Sequence, residues 1–152
     1  WPGTIPAGVT WDGMMATMDF YATMAAVSGK PLPERCEGTN LLPYLKGEKR
    51  GDAHEYIFWH NADPTDAPRR NLYVVRWKDW RLVKSPKGWH LYDLKKDPKE
   101  KKDLADKHPD VVANMRENYD AFVATLPPVK PSADYEGGGI VPKGWGWVIS
   151  KG

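Results

Sequence analysis

Cysteine is almost missing from the sequence: Cys36 stands alone among 152 residues, which excludes an internal disulfide framework and a Cys-based zinc site. Phenylalanine is scarce as well, three residues against eight tryptophans, so indole rings carry the aromatic packing or stack on flat ligands and sugars. Net charge is slight. Lys and Arg number 22 and Asp and Glu 20, leaving +2, a field too weak to point to nucleic acid or an anionic membrane. No apolar run approaches the roughly 20 residues that a membrane helix needs. Gly and Pro, 14 of each, exceed ordinary usage but stay below the roughly 25–30% of low-complexity chains. Loops are therefore plentiful around a real core, and a compact chain of this length buries about 68–70% of its unfolded surface. The first residue is Trp1 rather than Met, which predicts a piece of a longer polypeptide and makes the lack of a signal peptide uninformative.

The apolar pattern divides the chain. Asp19 precedes Phe20, Tyr21, Met24, Ala25 and Val27 at helical spacing, and Ser28-Gly29 follows; this predicts a short helix with Asp19 as N-cap and Gly29 just past its end. Leu41–Leu45 supplies one apolar turn, and the polar run 47–52 is a boundary signal. Four aromatic and β-branched segments come next, 55–60, 72–77, 80–84 and 89–92, the last three joined by turns of two to four residues. They predict an antiparallel meander. In 72–77, Tyr73, Val75 and Trp77 alternate with Leu72, Val74 and Arg76, so neither face is purely polar and a helix must cover one. The helix for that task is 109–126, where Val111, Met115, Tyr119, Phe122 and Leu126 form one stripe. Pro109 suits its first position, Asp110 its positive end, and Pro127-Pro128 forbids continuation. The domain reading is 1–50, 51–127 and an irregular tail, 128–152, pinned by Trp145 and Trp147.

Tests for reactive groups exclude more than they find. The histidines, His54, His60, His90 and His108, include no pair at the i, i+4 spacing of a helical zinc site. The acidic run from Asp93 fails as a calcium loop, with Lys95 at its third position, Pro98 where Gly is required and Leu104 at the twelfth. No Gly-x-Gly-x-x-Gly, P-loop or Gly-x-Ser-x-Gly sequence is present. Cys36 has no His near it in sequence and reads as a small packing residue. Trp77, Trp80 and Trp89 sit on the meander, where packing against the helix explains them better than sugar stacking. His60-Asn61 ends an aromatic strand and opens a loop that closes on Arg69-Arg70. Binding groups concentrate on such loops, so His60, Asn61, Arg69 and Arg70 are the candidate substrate-binding residues.

Several segments are familiar in series: Trp1–Gly8 (WPGTIPAG), Met18–Thr23 (MDFYAT), Gly38–Gly47 (GTNLLPYLKG), Ile57–His60 (IFWH), Val75–Val83 (VRWKDWRLV), and Leu91–Leu94 (LYDL) with Asp97–Glu100 (DPKE) and Asp103–Ala105 (DLA). In that order, from about residue 1 to 127, the chain resembles the C-terminal part of the type I sulfatases, the arylsulfatase-like family. Ala22 stands where Pro is usual, Asp103 where Asn is and Arg81 where Lys is. Trp59 is followed at once by His60, where the family pattern has a residue between.

The resemblance implies an α+β fold, namely the C-terminal subdomain of a sulfatase/alkaline-phosphatase-like α/β enzyme. A short antiparallel sheet of about four strands would pack on a long C-terminal helix, with residues 1–50 ending the α/β domain. It also implies hydrolysis of sulfate esters by a formylglycine made from the Cys or Ser of a C/S-x-P-S-R sequence, beside a divalent metal, usually calcium. Neither belongs to this stretch: Cys36 begins Cys-Glu-Gly-Thr-Asn, and the family's metal ligands and sulfate-binding Lys and His lie upstream of the WPG segment. No catalytic or metal-binding residue is therefore assigned, no cofactor is expected in this piece, and His60 matches a residue at the rim of the substrate entrance. The expected function is a C-terminal fragment of a periplasmic or secreted sulfatase, inactive alone, whose parent takes a sulfate-ester substrate with sulfated carbohydrates among the options. No nucleic acid or membrane partner is expected. The alternative is an aromatic-rich carbohydrate-binding module, which would need two or more exposed coplanar Trp rings; a third reading is a noncatalytic oligomerisation piece.

Overall fold

A computed structural model describes residues 1–61 and 72–127. The chain divides into two compact units, Trp1–Ile57 and Phe58–Gly152. The predicted tail with Trp145 and Trp147 lies outside the described residues.

The first unit is mostly turns around two helices, α1 (Met18–Val27) and the single turn α2 (Leu42–Leu45). The end of α1 follows the sequence signal. Gly29 adopts φ +65°, its N–H donates to Ala26 O and the Lys30 N–H to Ala25 O, so the last carbonyls are satisfied by the left-handed turn that glycine enters without strain. The start differs from expectation. Thr17 flanks α1 without a side-chain cap, and Asp19 lies inside the helix and is fully buried. Its carboxylate accepts the Ala16 N–H at 2.7 Å, the Thr39 N–H at 2.8 Å and His54 Nε2 at 2.8 and 2.9 Å. Three donors converging from different segments outcompete a local cap, because a buried carboxylate must have its lone pairs filled. Thr23 Oγ1 continues this network, donating to Asp19 O and accepting the Leu41 N–H. Gly38 passes so close that a Cβ there would lie 2.3 Å from Met18 O.

A four-stranded sheet, in the second unit from Phe58 onward, has the order β1 (Tyr56–Asn61), β2 (Leu72–Trp77), β3 (Trp80–Ser85), β4 (Gly88–Asp93), the predicted meander. The register aligns Tyr73, Lys84 and Trp89, then Val75, Leu82 and Leu91, on one face, and Val74, Val83 and His90 on the other. Helix α3 (Pro109–Thr125) covers the first face. Met115, Val75, Leu82 and Leu91 are completely buried, Tyr119 meets Trp89 edge-on at 5.4 Å, and Phe122 stacks on Phe58 at 4.6 Å. Each such aliphatic side chain contributes about 1.5–3 kcal/mol relative to exposure. Leu126 ends α3 in an extended conformation, as the residue before a proline must. Val74 is buried as well, so the middle of β2 is shielded on both faces and its unbroken apolar pair is explained. This is the expected α+β subdomain, a meander packed under a C-terminal helix.

Candidate functional site

Strand β1 ends at His60 and Asn61. Residues two apart on a strand share a face, so His60 follows Phe58 toward α3, while Trp59, 44% exposed, turns away. The His60 ring lies 5.1 Å from the Tyr73 ring and 5.8 Å from the Tyr119 ring, and Nδ1 is 2.6 Å from the Tyr119 hydroxyl. Burial and the Lys84 charge both hold the imidazole below its ordinary 6.5. Burial, with Tyr73 and Asp120, pushes the Tyr119 phenol far above its usual value. A neutral imidazole and a protonated phenol therefore share this hydrogen bond. Lys84 Nζ stands 5.2 Å from the Tyr73 ring centroid and 5.9 Å from that of Trp89, completing an aromatic cluster with one cation at its border.

Asn61 is exposed at the end of the strand. Arg69 and Arg70 lie outside the described residues; of the four expected binding residues the structure describes His60, which faces α3, and Asn61, which follows it on the opposite face of the strand. The sequence shows Tyr119 as part of the helical stripe; its hydroxyl is what holds the His60 ring, and an apolar period carries no sign of that.

A second polar set lies on the other face of the sheet. Ser85 Oγ is 2.8 Å from His90 Nε2, and His90 Nδ1 is 2.7 Å from Asp103 Oδ2. Serine, imidazole and carboxylate in this order are the parts of a nucleophilic serine site, but here both ends are also fastened to backbone. Ser85 Oγ accepts the Lys87 N–H at 3.1 Å, and Asp103 Oδ1 accepts the Leu91 N–H at 3.0 Å and the Ala105 N–H at 2.9 Å. Burial alone would raise the Asp103 carboxyl, yet the Ala105 N–H, the His90 ring and the Leu91 N–H outweigh it and hold the group below its ordinary value. The set ties the β3–β4 hairpin to the connection that follows β4.

Asp93, the last residue of β4, and Asp97 are similarly engaged. Asp93 pairs with Lys96 at 3.0 Å, and that hydrogen bond, working against burial, lowers its carboxyl. Asp97 Oδ2 accepts the Lys102 N–H at 2.8 Å. Among the described residues, no three His, Cys, Asp or Glu side chains are grouped to hold a metal ion.

The tryptophans separate the two main sequence readings. Trp77, Trp80 and Trp89 are all partly buried on the face that α3 covers, with Trp80 5.0 Å from the His108 ring and Trp89 edge-on to Tyr119. Rings engaged in this way form no coplanar exposed platform, and nothing favours the carbohydrate-binding module.

Comparison with known proteins agrees. The family model described as N-sulphoglucosamine sulphohydrolase, C-terminal, matches residues 1–124. The Delta 4,5-hexuronate-2-O-sulfatase of Bacteroides thetaiotaomicron is 32% identical over 112 residues, covering 70% of this chain and 23% of that protein. Human steryl-sulfatase is 26% identical over 161 residues, covering 85% of this chain and 28% of its own length. A solved structure titled as a complex with its substrate D-glucosamine-2-N,6-O-disulfate superposes with a TM-score of 0.68 at 22% identity, over 82% of this chain and 27% of that one. The chain thus spans about a quarter of the length of the proteins it matches. By family match, fold and ordered motifs, the chain belongs to the sulfatases, as a C-terminal portion of the kind found in N-sulphoglucosamine sulphohydrolase.

Proposed function

We propose that this chain completes the C-terminal subdomain of a sulfuric ester hydrolase and supplies part of the wall of its substrate cleft, while the rest of the parent polypeptide performs the chemistry. The observation that carries this reading is the family match over residues 1–124. The residues here do not fit the reactive groups of such an enzyme. Cys36 is followed by Glu37, Gly38 and Thr39, without the Pro and Arg of the formylglycine sequence, and Asp93, Asp97 and Asp103 are engaged with a lysine, His90 and backbone N–H groups. A formylglycine and a divalent metal, with calcium the expected ion, therefore belong to other parts of the parent, and no step is routed through them here.

What these residues contribute is position. Tyr119 holds His60 through Nδ1, which leaves Nε2 in a fixed orientation at the end of β1. A neutral imidazole nitrogen suits the sugar hydroxyls of a substrate, and Arg69 and Arg70, further along the chain, would supply charge for the sulfate. The 2-O-sulfated hexuronate named for the relative with 32% identity and the glucosamine disulfate in the solved neighbour favour a sulfated carbohydrate as substrate class. Purified 152-residue chain is expected to release no sulfate from an aryl sulfate or a sulfated disaccharide, whereas the full-length polypeptide hydrolyses one of them. Sulfate release by the 152-residue chain alone would overturn the proposal.

A further inference from the structure

One row of side chains crosses all four strands on the face that α3 covers. The His60 ring on β1 lies 5.1 Å from the Tyr73 ring on β2; Tyr73 is paired in register with Lys84 on β3, and Lys84 with Trp89 on β4. The order is imidazole, phenol, ammonium, indole. Lys84 is the odd member, since lysine is a poor strand former and its neighbours across both ladders are aromatic. Its ammonium is held between two rings, 5.2 Å from the Tyr73 centroid and 5.9 Å from that of Trp89. Other cations of the described residues have carboxylates, Lys46 with Glu48, Arg81 with Glu100 and Lys96 with Asp93, whereas no described carboxylate pairs with Lys84. Ring faces attract a cation without neutralising it. Lys84 is exposed while His60, Tyr73 and Trp89 are half-buried, so an uncompensated charge stands at the open side of an aromatic row.

Resting on the function proposed above, we infer that this row is a substrate subsite in which Lys84 takes a sulfate group that the enzyme does not cleave, with Tyr73 and Trp89 against the sugar that carries it. The composition matches that ligand. A sulfate group is ionised at every physiological pH and requires a cation, and an ammonium binds its oxygens through charge-assisted hydrogen bonds. The C–H faces of a sugar ring suit half-buried phenol and indole rings, whose polar tips stay available to its hydroxyls. The Lys84 charge also helps to hold His60 below its ordinary 6.5, so at neutral pH the row carries one positive charge, enough for one sulfate and not for a string of them. Lys84 is thus a determinant of specificity, favouring substrates with a second sulfate over those with one.

The sulfatase reading is tested first and by itself, from sulfate release by the full-length polypeptide on an aryl sulfate and on heparin and chondroitin disaccharides that carry one sulfate or two. If nothing is released, both proposals fall. Release from the aryl sulfate alone overturns the subsite and leaves the sulfatase reading standing. With a disulfated disaccharide as substrate, Lys84→Met in the full-length polypeptide is expected to raise KM about fivefold or more, the size of effect of a partly exposed ion pair, while kcat stays within about twofold. For the matching monosulfated disaccharide KM should change by less than about twofold. Lys84→Arg, which keeps the charge, should restore most of the lost affinity. Added salt should raise the native KM for the disulfated substrate more steeply than that of Lys84→Met, because salt screens the pair only where it exists. Lys99→Met removes one charge elsewhere on the surface, and an equal KM rise in that variant would assign the effect to net charge and overturn the inference. A lowered Tm with both KM values unchanged would make Lys84 a packing residue of the aromatic row, and overturns it as well.

Discussion

His60 and Tyr119 are separated by 59 residues in sequence and by 2.6 Å in space. Replacing Tyr119 with Phe keeps the ring contacts and removes one donor; the expected cost is about 1 kcal/mol in urea unfolding. His60 is the member of the pair that titrates near neutral pH. The sign of the pH dependence follows from the lowered value. The unfolded chain takes up a proton near the ordinary 6.5 and the folded chain only at lower pH, so the stabilisation is complete above about pH 6.5 and is lost as pH falls from there toward the folded value. His60→Gln should flatten the stability profile across that interval, and a profile unchanged from the native chain would contradict the assignment. Asp19 is the counterpart in the first unit. Asp19→Ala strands the Ala16 and Thr39 N–H groups and His54 together, and a loss on the order of 3 kcal/mol is expected in denaturant unfolding.

Elements were more legible in the sequence than these contacts. The meander could be read because aromatic and β-branched runs were cut by turns of fixed length, and α3 because one stripe recurred between Pro109 and Pro127. The end of α1 was equally readable, since Ser28-Gly29 announces a left-handed turn. Gly29→Ala, at φ +65°, should cost about 1 kcal/mol in thermal unfolding. The start of α1 misled for a physical reason: an Asp before an apolar run satisfies the rule for a cap, and only Thr39 and His54, brought in from 20 and 35 residues away, turn it into an interior anchor. The candidate site was legible at His60-Asn61 as a strand end, whereas the hydroxyl that orients His60 was hidden within an apolar stripe. Met115 is the residue on which α3 closes. Met115→Ala should cost about 2–5 kcal/mol, with the loss of near-ultraviolet signal from the surrounding aromatics as the check.

For the molecule as a whole, the relatives constrain how the described residues are used. A hexuronate 2-O-sulfatase and a steryl-sulfatase both match this segment, at 32 and 26% identity. The two units also differ in how they meet water. Of the ten large apolar side chains exposed among the described residues, eight belong to the first unit and only Trp59 and Leu72 to the second. The second unit has closed one of its own borders. Leu91 N–H donates to Asp103, Leu91 O accepts the Leu104 N–H at 2.8 Å, and Asp93 O accepts the Asp97 N–H at 2.7 Å. The segment following β4 thus occupies outward-facing backbone groups that would otherwise template another strand. Aggregation resistance in this sheet is therefore carried by a loop carboxylate: with Asp103→Ala, Leu91 regains an open N–H, and incubation with thioflavin T should report fibrils earlier than for the native chain, seeded along β4.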